Sequence, residues 1–287
     1  MSELRDLVAE ELSLPVDPRV SSVAAAIAAK HGEASRAVLF YGSCLREKQL
    51  DGLMLDFYLI VSDYRAAYAK RWLAIANRLI PPNVFYFEHD GLAAKYAVLS
   101  ETDFYRLTAP ETSSVSVWAR FAQPARLVWA ADDRARAQAI DAVERAAPTL
   151  LAAAGRVDGE APLDWWRRAF ALTYSAELRA ERKGRASSVV DVDPERYRRF
   201  SSPAIAAMPT KLPRQPAWPW RRLEGKALSV VRLVKASFTF AGGAEYIAWK
   251  INRHAGANIE LTPWQRRHPL LAGISLLPRL LKSGAVR

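Results

Sequence analysis

The chain holds a single cysteine, Cys44, among its 287 residues. No internal disulfide can form, which favours a reducing compartment. No run approaches the roughly 20 consecutive apolar residues that a membrane-spanning helix needs, and the charge-free stretch near the C-terminus, residues 269–278, is far too short. The opening MSELRDLVAEELSLP mixes acids with bases and has no apolar centre, so it does not read as a secretory signal. Acids are scarce in the final quarter: residues 211–287 contain Glu224, Glu245 and Glu260 against 14 Lys and Arg. Residues 1–210 carry 27 bases and 27 acids, so the net charge of +11 belongs to that last quarter. Segregated positive charge points to a polyanionic surface as partner, either nucleic acid or anionic lipid.

What is present is a chain able to fold. Apolar residues make up 51% of it, enough for a real core, and the length suits two compact units. Residues 17–32 have helical spacing, opened by a Pro-containing turn and closed by Gly32. Residues 37–42 (AVLFYG) and 53–61 (LMLDFYLIV) predict two buried strands. A helix over 63–79, with Trp72 on one face, ends at Pro81-Pro82, and short strands follow at 83–88 and 95–100. Alternating strands and helices predict an α/β fold with a mixed sheet in residues 1–131. Residues 132–200 read as a helical second domain, with 136–154 and the stretch around Trp165, Trp166 and Phe170 as an antiparallel pair. Five prolines mark 201–220 as a linker. Residues 221–287 read as a basic, amphipathic helical segment.

The chemistry is concentrated in the first two strands. Gly42 and Ser43 end the first, and Asp56 is the only charge in the second. Glycine lets backbone approach a triphosphate closely, and a serine hydroxyl with neighbouring N–H groups binds phosphate oxygens. A carboxylate in an apolar strand is costly to bury unless paired or metal-bound. As a metal ligand, Asp56 would hold Mg²⁺ against phosphate oxygens. Blander explanations stand beside this one: a Gly-Ser turn is common, and a structural cation would also account for Asp56. The arrangement is the signature of the polymerase-beta-like nucleotidyltransferases. These usually carry a second carboxylate two residues along the strand, where this chain has Met54 and Tyr58. Glu88 is the candidate to complete a metal site, although a solvated strand end explains it equally well. Asp51 reads more simply as a turn residue.

Taken in order, the motifs resemble one family, the mitochondrial-type CDP-diacylglycerol synthases (translocator assembly and maintenance proteins), which has bacterial members. FYGSCLREKQ resembles its YGSG-V motif and MLDFYLIVSD its LDF-type strand. NVFYFE with KYAVLS resembles its paired strands, LTYSAELRAERKGRASSVV a helical LSYxGDxR segment, and KASFTFAGGAEYIAWKINRH its C-terminal element. The resemblance spans residues 37–254. Departures are Cys44-Leu45 for Gly-Val, Ala176-Glu177 for Gly-Asp and Gly184-Arg185 for Asn-Lys.

The resemblance implies phosphatidate cytidylyltransfer: CTP and phosphatidate give CDP-diacylglycerol and pyrophosphate with Mg²⁺. Gly42 and Ser43 would cradle the triphosphate, Asp56 bind the metal and Lys95 offset leaving-group charge, with Arg179 and Arg185 as further phosphate contacts. A solvated helix end is the competing explanation for those two arginines. The lipid substrate implies a peripheral enzyme at the cytoplasmic face of a membrane. Residues 221–253 would be its interfacial anchor on an anionic surface, with no nucleic acid expected as partner. The commoner fate of such a helix is to pack its apolar stripe on the core. Two alternatives remain: a nucleotidyltransferase acting on RNA or a small molecule, and a non-catalytic membrane scaffold with a degenerate fold of this type.

Overall fold

The computed structural model describes residues 2–47, 49–177, 189–210, 217–239 and 262–264. Five strands, β1 (Ser35–Tyr41), β2 (Met54–Val61), β3 (Asn83–His89), β4 (Leu92–Ser100) and β5 (Ala125–Ala130), form one sheet in the order β3-β4-β2-β1-β5. The β2–β4 pair is parallel and the other three are antiparallel, so the fold is a mixed α/β one. Strands β1 to β4 lie where the apolar runs place them. The fifth was not anticipated: ARLVWA is six residues long and interrupted by Arg126, and pairing with β1 makes it a strand.

Each face of the sheet buries a different set of side chains because successive residues of a strand alternate. On one face, Val20, Val23, Ala24 and Ile27 of the Pro18–His31 helix cover Phe40, Phe57, Leu59, Tyr96 and Val98. This helix is capped by Asp17, whose Oδ1 accepts from Arg19 N at 2.8 Å. It stops at Gly32, where φ is +55°. On the other face, Leu39, Tyr58, Ile60 and Leu99 share one continuous core with Trp118, Phe121, Trp166, Phe170 and Tyr197. Helices Glu3–Ser13, Asp133–Glu144, Ala146–Ala154, Pro162–Ala176 and Pro194–Ala206 contribute to that core. The β3–β4 hairpin turns on Asp90 and Gly91, both at positive φ (50° and 72°), as the twist-matched two-residue turn requires.

One expectation is corrected. Residues 201–206, expected as linker, continue the Pro194–Ala206 helix with Pro203 inside it. Tyr197, Phe200 and Ala204 are buried there, and Ser201 Oγ accepts from Trp166 Nε1 at 3.0 Å. Burial on this face outweighs the proline's missing N–H. Residues 211–216 lie outside the described set.

The basic segment is described in part. Its described part is the Trp218–Thr239 helix, which docks on the protein. Arg221 is 2% exposed and donates to the carbonyls of Thr112 (3.2 Å) and Ser113 (2.5 Å). Arg232 and Lys235 also point inward, while Arg222 and Lys226 stay on the surface. The contact is close at Gly225, where a β-carbon would stand 2.2 Å from the Ala176 carbonyl oxygen. No described helix is long and apolar enough to cross a membrane. Residues 240–261 and 265–287 of the expected helical segment fall outside the described residues.

Candidate functional site

The site begins where β1 ends. Gly42 adopts φ 94°, ψ −165°, a region that side chains avoid. The chain then makes a tight turn over Ser43–Arg46, with Ser43 exposed and Leu45 N donating to Gly42 O at 3.3 Å. The antiparallel register sets Asp56 opposite Tyr41, and the parallel register sets Lys95 beside Asp56. Gly42, Asp56 and Lys95, far apart in sequence, therefore converge at one end of a single sheet face. A β-carbon on Gly42 would lie 3.2 Å from Asp56 Oδ2. A side chain there would have to push that oxygen back by a few tenths of an ångström.

Lys95 Nζ stands 3.0 Å from Asp56 Oδ1. Oδ1 itself is buried and, among the described residues, receives no hydrogen bond of proper geometry. The Asp56 side chain is 21% exposed and that of Lys95 is 42% exposed. The ion pair is therefore partly open to solvent on the lysine side.

A cavity of about 310 Å³ adjoins this pair. Tyr41, Tyr58, Lys95 and Ala97 form its floor on the sheet, with Pro82 and Val84 at one side. Arg120, from the short Trp118–Phe121 helix, and Ser116 just before it enter from a second direction. Glu177, which ends the Pro162–Ala176 helix, and Ser229 and Arg232 of the Trp218–Thr239 helix complete the lining. The site is thus built jointly by the sheet and the helices packed on it.

Cations dominate the lining. Arg120 donates through Nη1 to Tyr41 Oη at 3.0 Å. Burial opposes its charge, yet interactions with Tyr41, Tyr58, Glu177 and Asp56 hold its guanidinium well above the ordinary value. Burial pushes the hydroxyls of Tyr41 and Tyr58 upward, so both stay protonated. Arg232 donates to Pro81 O (3.0 Å) and Ser116 Oγ (3.1 Å). Its pKa is drawn down by burial and by Arg120, against the pull of Tyr58 and Glu177. Lys235 donates to the carbonyls of Ile80 and Pro82, and burial with Arg232 nearby lowers its pKa to about 8.

The predicted residues separate accordingly. Gly42, Ser43, Asp56 and Lys95 come together. Glu88 does not reach Asp56: it pairs with Ala93 on β4, is exposed, and accepts from Tyr86 Oη at 3.1 Å. β4 stands between the two carboxylates, so strand spacing and rise put their backbones about 12 Å apart, too far to share one cation. Among the described residues there is no cluster of three or more potential metal ligands. Asp56, whose buried Oδ1 has only the Lys95 ammonium beside it among the described residues, fits a hard cation that takes its remaining ligands from substrate phosphates and water. Arg179 and Arg185 lie outside the described residues.

Sequence reasoning missed Arg120, Arg232 and Glu177 as site residues. For Arg120 a signal existed: it sits in VWARFA, an arginine flanked by buried aromatics. Arg232 carries no such signal, because it was read as one base among many on an amphipathic helix.

No family model matches the chain, and no curated protein matches it. Among solved structures, the chain is similar to a nucleotidyltransferase-like protein from Exiguobacterium sibiricum 255-15, with 11% identity, 92% of each chain covered and a TM-score of 0.29. At that score the likeness is loose, and the functional reading rests on the convergence of Gly42, Asp56 and Lys95.

Proposed function

We propose that the protein is a nucleotidyltransferase whose site is the Gly42–Ser43 turn, Asp56 and Lys95. The observation that carries this reading is the Asp56 carboxylate: among the described residues its buried Oδ1 has the Lys95 ammonium at 3.0 Å and no further partner, while its Oδ2 lies against Gly42, which has no β-carbon to crowd it. A triphosphate laid along the Gly42–Ser43 turn brings its charge to Lys95 and to the guanidinium-lined cavity beside it. Asp56 would hold Mg²⁺, which when bound shields the polyphosphate charge. Lys95, partly exposed, is free to follow the charge that builds on departing pyrophosphate. Positioning and electrostatics are the larger part of such catalysis.

The finer reading comes from the resemblance of residues 37–254: the nucleotide is CTP, the acceptor phosphatidate, and the enzyme works peripherally at the cytoplasmic face of a membrane. A catalytically silent scaffold is the second reading, favoured by the lack of a carboxylate cluster among the described residues.

The test is direct. Purified protein is mixed with Mg²⁺, CTP labelled at the α-phosphate, and phosphatidate in vesicles, beside Asp56→Ala. Labelled lipid forms with the wild type and is reduced to background in the variant. Label on RNA would redirect the acceptor assignment, and no turnover of any nucleotide would favour the scaffold.

A further inference from the structure

We propose that the outward face of the Arg71–Leu79 helix is a docking surface that lies on an anionic lipid bilayer. The proposal deepens the peripheral-membrane part of the reading above, on which its place in the function rests, whereas the surface is read from the helix itself.

The helix is built inside out. Trp72, Ile75 and Leu79, spaced i, i+3 and i+7, make one stripe, and they are 44, 60 and 74% exposed. On the opposite side the buried residues are Ala74 and Asn77, one small and one polar. An apolar stripe on a helix ordinarily turns to the core. Here hydrogen bonds hold it the other way. Asn77 Nδ2 donates to Val98 O on β4 at 2.9 Å, and Asn77 Oδ1 accepts from Asn83 N. Asn83 Nδ2 returns to the helix, donating to Leu73 O at 3.0 Å. Just past the helix end, Lys235 donates to the carbonyl of Ile80. Rolling the helix to bury its stripe would break the bonds of a fully buried amide. The apolar face is therefore fixed outward.

Charge identifies what that face meets. Residues 64–87 hold four bases and no acid. The four, Arg65, Lys70, Arg71 and Arg78, are all exposed. Arg71 and Arg78, seven residues apart, run along one edge of the stripe. A single exposed apolar side chain is ordinary. Three in register beside unbalanced positive charge form the pattern of a helix lying in the plane of a bilayer interface. Anionic headgroups attract the bases, and the tryptophan ring and the aliphatic side chains enter among the upper acyl carbons. A second copy of the chain is a poorer occupant, because a two-fold contact would set the same bases against each other.

This surface is distinct from the C-terminal segment to which the sequence assigned an interfacial anchor. In the Trp218–Thr239 helix, Arg221, Arg232 and Lys235 are spent on carbonyls of the protein. The four bases around the Arg71–Leu79 helix all face solvent.

Co-sedimentation of the full chain with vesicles tests the proposal. The vesicles are phosphatidylcholine alone or phosphatidylcholine with phosphatidylglycerol, and they lack phosphatidate so that no candidate acceptor takes part. The wild type should bind the anionic vesicles and release them as salt rises from about 0.1 M to about 1 M, where screening shortens the reach of the bases. Leu79→Ser should weaken binding about tenfold. Arg71→Glu combined with Arg78→Glu should remove the preference for anionic lipid. All three positions are exposed, so melting curves and CTP affinity should stay as in the wild type. Trp72→Phe gives a second readout: it should retain binding while brominated acyl chains quench less of the tryptophan emission.

No binding by the wild type overturns the surface. So does binding unchanged in both Leu79→Ser and the charge-reversed variant, which would assign lipid contact to the C-terminal segment. A wild-type dimer that Leu79→Ser dissociates also overturns it, because the stripe would then belong to a second copy. Vesicle binding lost in these variants while no form of the protein transfers a nucleotide would uphold the surface and sink the transfer reading.

Discussion

Gly42 and Asp56 face each other across the β1–β2 pair so closely that a single added carbon on the glycine would stand 3.2 Å from the carboxylate. The turn that would hold a triphosphate and the side chain that would hold a metal are thus one unit.

Gly42→Ala tests this coupling. The substitution forces a side chain into φ 94°, ψ −165°, a strain of about 1–3 kcal/mol, and presses on Asp56 Oδ2. Thermal melts should show that modest loss, while nucleotidyl transfer falls on the order of 10²-fold, the scale at which small misplacements act. Full activity in a folded Gly42→Ala protein would show that the close approach has no catalytic meaning.

Gly225 governs the roof of the cavity. Its missing side chain lets the Trp218–Thr239 helix rest against the Ala176 carbonyl, which a β-carbon would approach to 2.2 Å. The backbone there cannot yield without moving the helix that carries Ser229 and Arg232. Gly225→Ala is expected to destabilise by about 1–3 kcal/mol, the usual cost of overpacking. Thermal melts check this, and an unchanged melting temperature would show that the helix shifts there without cost.

His31 makes stability depend on pH. It sits between Ala67 O (3.0 Å from Nδ1) and Tyr96 Oη (3.2 Å from Nε2), and burial pulls its pKa below the ordinary 6.5. The unfolded chain takes up a proton near pH 6.5 where the folded chain resists it. The contribution is therefore complete above 6.5 and is lost as pH falls below it. Melting temperatures recorded from about pH 5 to about pH 7.5, the range in which histidine titrates, should drop on the acid side. His31→Gln should flatten that part of the profile. An unchanged profile would assign the acid sensitivity to other groups.

The sheet was legible because its strands are dense apolar runs bounded by Gly, Pro and polar turns, and local pattern suffices for β1 to β4. Asp56 was legible for a related reason: one charge in LMLDFYLIV breaks the pattern, and breaks at such places mark function. Pro203 misled, because a proline reads as a helix stop only until burial of Tyr197, Phe200 and Ala204 is counted. Glu88 misled as well. Proximity along the chain does not show that β4 inserts between β3 and β2, and strand order is a matter of long-range pairing.

The composition of the chain alone specified a mixed α/β domain, a glycine-serine corner and a lone strand aspartate, all consequences of local periodicity and of the cost of burying charge. The direction in which a base points depends on what its helix packs against. Arg120, Arg232 and Lys235 are therefore indistinguishable from solvated charges until the helices close over the sheet and turn them inward.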